Sequence, residues 1–240
     1  MWRISSAIRI LIVVIITVFC TILGVLMVLI TRDRPKTLYA DSQIWSKVIL
    51  WACGVKLIVR GRENIDRNKN YIFVANHESF IDIPSVFIAS PLPLFFLAKK
   101  EMAKVPVMGW FIGYIGMIFI DRGNSDRAKQ SLLEAGKLIR NGRNVISFPE
   151  GTRTTTGELR LFKRGSFILS RECGIDIIPM GIEGAYEAVK PNDWRIRPGT
   201  ITVQIGEVIS ESKFRDLPIE KYAAHTQKIV SELISKAKQS

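Results

Sequence analysis

Tyr71-Ile72-Phe73-Val74-Ala75-Asn76-His77-Glu78-Ser79-Phe80-Ile81-Asp82 is an apolar, β-prone run that ends in a polar cluster. A short apolar run of this kind reads as a buried strand whose C-terminal end opens into a site, the place where open α/β sheets take ligands. His77 is one of only two histidines in the chain. Imidazole has the side-chain pKa nearest neutrality, so it can accept a proton from a hydroxyl once a partner fixes its tautomer. Asp82, five residues on, has the right chemistry to be that partner. Taken alone, the pattern also describes a strand ending in a polar turn with His77 capping or packing, so the surrounding chain has to decide.

On either side of this stretch, strand and helix signals alternate. Residues 55–60, 95–98, 117–120, 144–148 and 200–205 read as strands, and 175–178 as a strand stopped by Pro179. Residues 61–64 read as a turn. Ile83-Pro84-Ser85 opens a helix, since proline is tolerated in a first turn, and helices follow at 125–141, at 165–173 and at 219–238. The weakly charged stretch 105–120 contains Pro106 and is too short for a comfortable membrane span, so it reads as a buried helix plus a strand. Strands alternating with helices predict an α/β fold with a mixed, largely parallel sheet flanked by helices.

The N-terminal part differs in kind. Residues 10–30 carry no charge and as a helix reach roughly 30 Å, one hydrocarbon thickness. Arg3 and Arg9 also suit a signal peptide, but Arg32-Asp33-Arg34-Pro35-Lys36 follows where a small-residue cleavage site belongs, so the segment reads as a retained membrane helix. It either spans the bilayer or folds back within one leaflet, and the flanking charges lean slightly toward a cytoplasmic active domain. Residues 41–57, with Trp45 and Trp51, fit an interfacial amphipathic helix and an ordinary core-facing helix equally. The expected division is 1–58, anchor and interfacial helix, and 59–240, the α/β domain.

Composition narrows the chemistry. With 240 residues and 48% hydrophobic content there is enough chain for one sizeable core. The net charge of +12 points to an anionic partner, and the apolar N-terminus favours phospholipid over nucleic acid. Cys20, Cys53 and Cys173 lack pairing or metal-ligand spacing and are expected reduced and buried; no metal is expected. Strand ends supply His77, Asp82, the carboxylate Glu150 and the cations Arg122 and Arg153, with Lys163 and Arg164 further along. This is a general base beside phosphate-binding groups. No Gly-x-Ser-x-Gly elbow, Walker loop or dinucleotide fingerprint is present.

Four stretches carry a resemblance. Asn76-His77-Glu78-Ser79-Phe80-Ile81-Asp82, Gly116-Met117-Ile118-Phe119-Ile120-Asp121-Arg122, Phe148-Pro149-Glu150-Gly151-Thr152-Arg153 and Ile178-Pro179-Met180-Gly181 resemble, in order, the four blocks of the glycerolipid acyltransferases. The nearest likeness is to the 1-acylglycerol-3-phosphate acyltransferases. The resemblance implies His77 as general base on a glycerol hydroxyl, Asp82 as its orienter, and direct attack on an acyl thioester without a covalent enzyme intermediate. It implies acceptor binding at Arg122, Glu150, Gly151, Thr152 and Arg153, continued by Lys163, Arg164 and Gly165. The implied partners are the bilayer, lysophosphatidate, and acyl-coenzyme A or acyl carrier protein as donor, with no further cofactor. Glycerol-3-phosphate or another lysophospholipid as acceptor, and a disabled lipid-binding protein, are the alternatives. Thr154 after the third block and Met180 in the fourth depart slightly from the pattern.

Overall fold

Between Arg9 and Arg32 nothing charged or proline-like interrupts a helix, and in the computed structural model, which describes residues 2–105, 108–114, 117–120 and 125–239, α1 runs over Trp2–Thr31. Asp33 then caps the next helix, its carboxylate accepting the Lys36 N–H at 3.1 Å, and Pro35 sits in the first turn of α2, Arg34–Cys53. Gly54, with φ of +70°, ends it. The two helices form an antiparallel hairpin along the rest of the molecule. At one end the Ser6 hydroxyl accepts the Ile196 N–H at 3.0 Å and Arg9 donates to the Ala52 carbonyl. Midway, Trp45 Nε1 donates to Thr17 Oγ1 at 3.1 Å. Near the tip, Val28 and Leu38 join the core around Phe95. Trp45 of α2 stands edge-on to Phe87, as a core-facing helix requires, whereas Trp51 is 75% exposed.

The remaining elements are β1 (Val55–Arg60), β2 (Ile72–Ala75), α3 (Asp82–Ala89), β3 (Leu94–Lys99), α4 (Met108–Tyr114), β4 (Ile118–Ile120), α5 (Ser125–Arg140), β5 (Asn144–Ser147), α6 (Gly165–Cys173), β6 (Ile177–Glu183), α7 (Ala185–Ala188), β7 (Gly199–Ile205) and α8 (Ile219–Lys238). The strands form one sheet in the order β1-β7-β6-β2-β5-β3-β4. Neighbours run parallel except β6 and β7, as the alternating pattern predicts. β1 pairs with β7 along its whole length, so the sheet begins before residue 58, where the anchor was expected to end. β2 lies between β5 and β6 and is wholly buried. Its alternate residues feed two cores: Phe73 and Ala75 pack with Val86 and Phe87 of α3, and Ile72 and Val74 with Phe167 of α6 and Tyr222 of α8.

Three expectations need correction. Pro179 does not stop its strand; β6 continues through it to Glu183. The Ile72 N–H bonds to the Asp176 carbonyl, so the backbone groups of residues 176, 178 and 180 face β2 and those of Pro179 face away. On that far side the ladder to β7 starts at Met180 and the Pro179 carbonyl accepts the Gly206 N–H at 2.9 Å, so the proline sits at the end of the pairing and lacks only its own donor. Residues 105–120 do contain a helix and a strand, but α4 lies at the surface, with Trp110 75% exposed. Cys173 is half-buried, unlike Cys20 and Cys53, because it ends α6 against the Gly136 carbonyl; all three are free thiols.

α8 closes the sheet over Gly181. A Cβ there would stand 2.6 Å from the Ile234 nitrogen and 2.7 Å from the Leu233 carbonyl carbon, both backbone atoms of α8. Gly181→Ala is expected to push α8 off the sheet and cost about 1–3 kcal/mol, read as a lower midpoint of thermal unfolding. An unchanged midpoint would show that the helix shifts freely.

Candidate active site

β2 delivers its polar end across the C-terminal edge of the parallel strands. Asn76 extends the sheet with its side chain: its carboxamide donates to the Ile182 carbonyl at 2.8 Å and accepts the Ile182 N–H at 2.7 Å. His77 follows, and the chain turns so that Asp82 becomes the first residue of α3. One carboxylate oxygen, Asp82 Oδ2, accepts three hydrogen bonds: from His77 Nδ1 at 2.7 Å, the Glu78 N–H at 2.8 Å and the Ser79 N–H at 2.9 Å. The other, Oδ1, is buried without a hydrogen-bond partner among the described residues. Donation from Nδ1 leaves Nε2 with its lone pair. The His77 side chain is 18% exposed while Asp82 is completely buried. The imidazole lies flat on Phe148, with ring centroids 4.2 Å apart and 17° between planes. A packed ring and a three-donor anchor leave His77 one orientation.

The third motif closes around this turn from behind. Glu150 is buried, and its two oxygens accept the His77 N–H at 2.7 Å and the Arg160 N–H at 3.0 Å. Burial pushes its pKa up, opposed by those two N–H groups. Its observed role is to bind the histidine turn to the following loop, which is joined again where the Thr154 N–H meets the His77 carbonyl at 2.9 Å. Glu78 is buried beside it. Its carboxylate accepts the Asn76 carboxamide at 3.2 Å and the Tyr186 N–H at 3.0 Å. Burial, with the Asp82 charge adding to it, raises the Glu78 pKa to about 8.

The cations sit further out. Gly151 adopts φ of +77°, and a Cβ there would stand 2.7 Å from Lys163 Nζ, so the glycine leaves room for that ammonium. Thr152, Arg153 and Lys163 are exposed beside the turn. Gly165 opens α6, whose Ser166 hydroxyl lies 2.6 Å from that of Ser147 at the end of β5. Arg164 instead reaches Glu220 at the start of α8, at 3.0 Å, with both side chains exposed. Arg122 lies outside the described residues. Phe148, Glu78 and Asn76 stood inside the quoted blocks without a role of their own. Their partners, from His77 to Ile182 and Tyr186, are distant in the chain, and no spacing reveals such contacts. Among the described residues no group of three or more His, Cys, Asp or Glu is arranged to hold a metal.

The description of the acyltransferase family matches residues 56–183. A 1-acyl-sn-glycerol-3-phosphate acyltransferase of Borreliella burgdorferi is 36% identical over 135 residues, which are 56% of this chain and 54% of that protein. One from Saccharomyces cerevisiae is 29% identical over 229 residues, 94% of this chain and 72% of the yeast protein. The chain spans about half the length of the first of these relatives. The crystal structure of the 1-acyl-sn-glycerophosphate acyltransferase PlsC from Thermotoga maritima superposes with a TM-score of 0.87 at 28% identity, covering 100% of this chain and 99% of that one.

A carboxyl whose pKa is higher folded than unfolded favours the folded state while it is protonated. The contribution of Glu78 is therefore full below its ordinary value of 4.5 and is lost as pH rises toward about 8. Glu150 acts with the same sign. Glu78→Gln is expected to flatten, without abolishing, the fall in thermal midpoint over that window. An identical slope in the variant would show that Glu78 is ionised throughout.

Proposed function

This chain belongs to the acyltransferase family, and from that membership and the geometry around His77 we propose that it transfers a fatty acyl group from an acyl thioester to the free sn-2 hydroxyl of 1-acyl-glycerol-3-phosphate, forming phosphatidate. The observation that carries the reading is the 2.7 Å contact of His77 Nδ1 with buried Asp82, which leaves Nε2 free to accept a proton. Nε2 takes the hydroxyl proton as the oxygen attacks the thioester carbonyl. The resulting imidazolium is stabilised by Asp82. The tetrahedral intermediate collapses with cleavage of the C–S bond, and the departing thiolate takes the proton back from Nε2, so the histidine returns neutral. A thiolate leaves readily, so the alcohol attacks directly and no serine nucleophile is needed.

Arg153 and Lys163, exposed beside the turn, are the groups proposed to meet the acceptor phosphate, the arginine by a two-point fork and the lysine as a point charge. The donor is acyl-coenzyme A or an acyl carrier protein. Both substrates are amphiphiles, which α1 suits: residues Ser5–Thr31 form a helix long and apolar enough to cross a membrane, and only 17% of its most apolar 18-residue stretch is buried. In a single span its far end would stand roughly 30 Å from the domain. Here the helix is held at Ser6 and Arg9 and again at Val28, which favours a hairpin lying in one leaflet. The cytoplasmic leaflet is proposed, since Arg32, Arg34 and Lys36 of the tip favour that side.

The test is release of free thiol by membranes carrying the chain, with acyl-coenzyme A or acyl carrier protein as donor, with and without lysophosphatidate. Acceptor-dependent release is expected, and His77→Ala should lower it by about 10²- to 10⁴-fold. Release that ignores the acceptor would indicate a thioesterase and overturn the reading. For the phosphate groups, Arg153→Ala should raise the KM for lysophosphatidate about tenfold or more, the scale of one lost charge-assisted hydrogen bond. The donor KM should hardly move. An equal rise in both would remove Arg153 from acceptor binding.

A further inference from the structure

At the end of the sheet opposite His77, the loops that lead into β2, β3 and β5 line an open cavity of about 540 Å³, none of whose lining residues belongs to the site around His77. Its wall carries three cations, Arg67, Lys69 and Arg143, and carboxamides that include Asn68 and Asn141. Among the described residues no aspartate or glutamate lines it. The neighbouring acid, Asp66, turns its carboxylate back onto the Asn68 N–H at 2.9 Å. The Arg143 guanidinium lies over the Phe95 ring, 4.5 Å from its centroid, and Arg34 over Tyr114 at 5.3 Å. Burial lowers the Arg143 pKa, and the Arg34 charge lowers it further. Like charges held around a cavity repel one another, and an anion within it would offset that repulsion. Guanidinium forks with nearby carboxamide donors suit the oxygens of a phosphate group.

The position of the cavity identifies the source of the phosphate. Pro35, at the start of α2, forms part of the wall. It follows directly on the end of α1, where Leu29 is 60% and Ile30 82% exposed. The cavity therefore opens where the apolar face of the hairpin gives way to charge. We infer that it is a second phosphate site, separate from the catalytic cleft, which takes the headgroup phosphate of an anionic bilayer lipid and sets how the domain lies on the leaflet. The inference rests on the membrane placement of the hairpin proposed above.

The test is flotation of the full chain, purified in detergent, with vesicles of phosphatidylcholine alone or with phosphatidylglycerol. Wild-type protein should bind both, and at least fivefold less lipid should suffice when phosphatidylglycerol is present, each cation near a charged leaflet contributing about 1 kcal/mol. Arg67→Gln/Lys69→Gln/Arg143→Gln should lose most of that gain. Arg67→Gln/Lys69→Gln, which leaves Arg143 on Phe95, should lose part of it. Lys213→Gln/Lys221→Gln/Lys228→Gln, a charge-matched change of exposed lysines elsewhere, should keep it. Equal losses in the cavity and control variants would mean diffuse attraction and overturn the site. Inorganic phosphate that raises the thermal midpoint as much as phosphatidylglycerol does, without lipid, would assign the cavity to free phosphate and overturn the headgroup. Failure of wild type to float with phosphatidylcholine would overturn the hairpin reading instead, leaving the comparison on anionic vesicles to judge the cavity.

Discussion

Three N–H groups converge on a single oxygen of Asp82, and the architecture around the site is arranged to keep that oxygen where it is. A carboxylate with no exposure to water needs donors. Two of the three come from the backbone immediately before it, so the turn between β2 and α3 has to curl around its own aspartate. The third is the imidazole. The orientation of His77 is thereby a by-product of satisfying a buried acid.

The turn would be free to swing if nothing held its other side. Asn76 anchors it to β6, and Glu150 binds its backbone to the loop beyond β5. Glu150, Glu78 and Asp82 gather carboxyl groups behind the histidine, although the protein as a whole is strongly positive. The segregation is physical. Each buried acid is matched by backbone N–H groups, whose hydrogen bonds are short and directional, while the lysines and arginines stay outside where water solvates them. The surface beside the turn is accordingly basic, with Arg153 and Lys163 exposed.

The hairpin of α1 and α2 joins this site to its solvent. One face packs on the sheet through Trp45, Ile49 and Leu50, and the other leaves large apolar side chains exposed along α1. A soluble protein would bury that face or lose it. Because the helices run from the catalytic end of the sheet to the opposite one, both ends of the domain are held against whatever the hairpin enters. The His77 turn and the basic cavity lie at opposite ends of the sheet that the hairpin follows.

Much of this was legible in the chain itself. The alternation of strands and helices, the apolar N-terminus, and the pairing of His77 with Asp82 all follow from local patterns, because periodicity, charge and turn chemistry act over a few residues. Four ordered blocks carried the family. What local pattern could not supply are relations between distant residues. Pro179 reads as a stop until the ladder shows its missing N–H falling on the side away from β2, at the end of the β7 pairing. Nothing in the spacing of Glu150 shows that its oxygens accept two backbone N–H groups. Nor does the spacing of Arg164 show that α8 brings Glu220 to it. Composition and spacing determined which groups this protein possesses and which elements carry them. Only the tertiary structure decided which of those groups face the cleft and which hold it, because burial and hydrogen-bond partnership are set by segments that the chain keeps far apart.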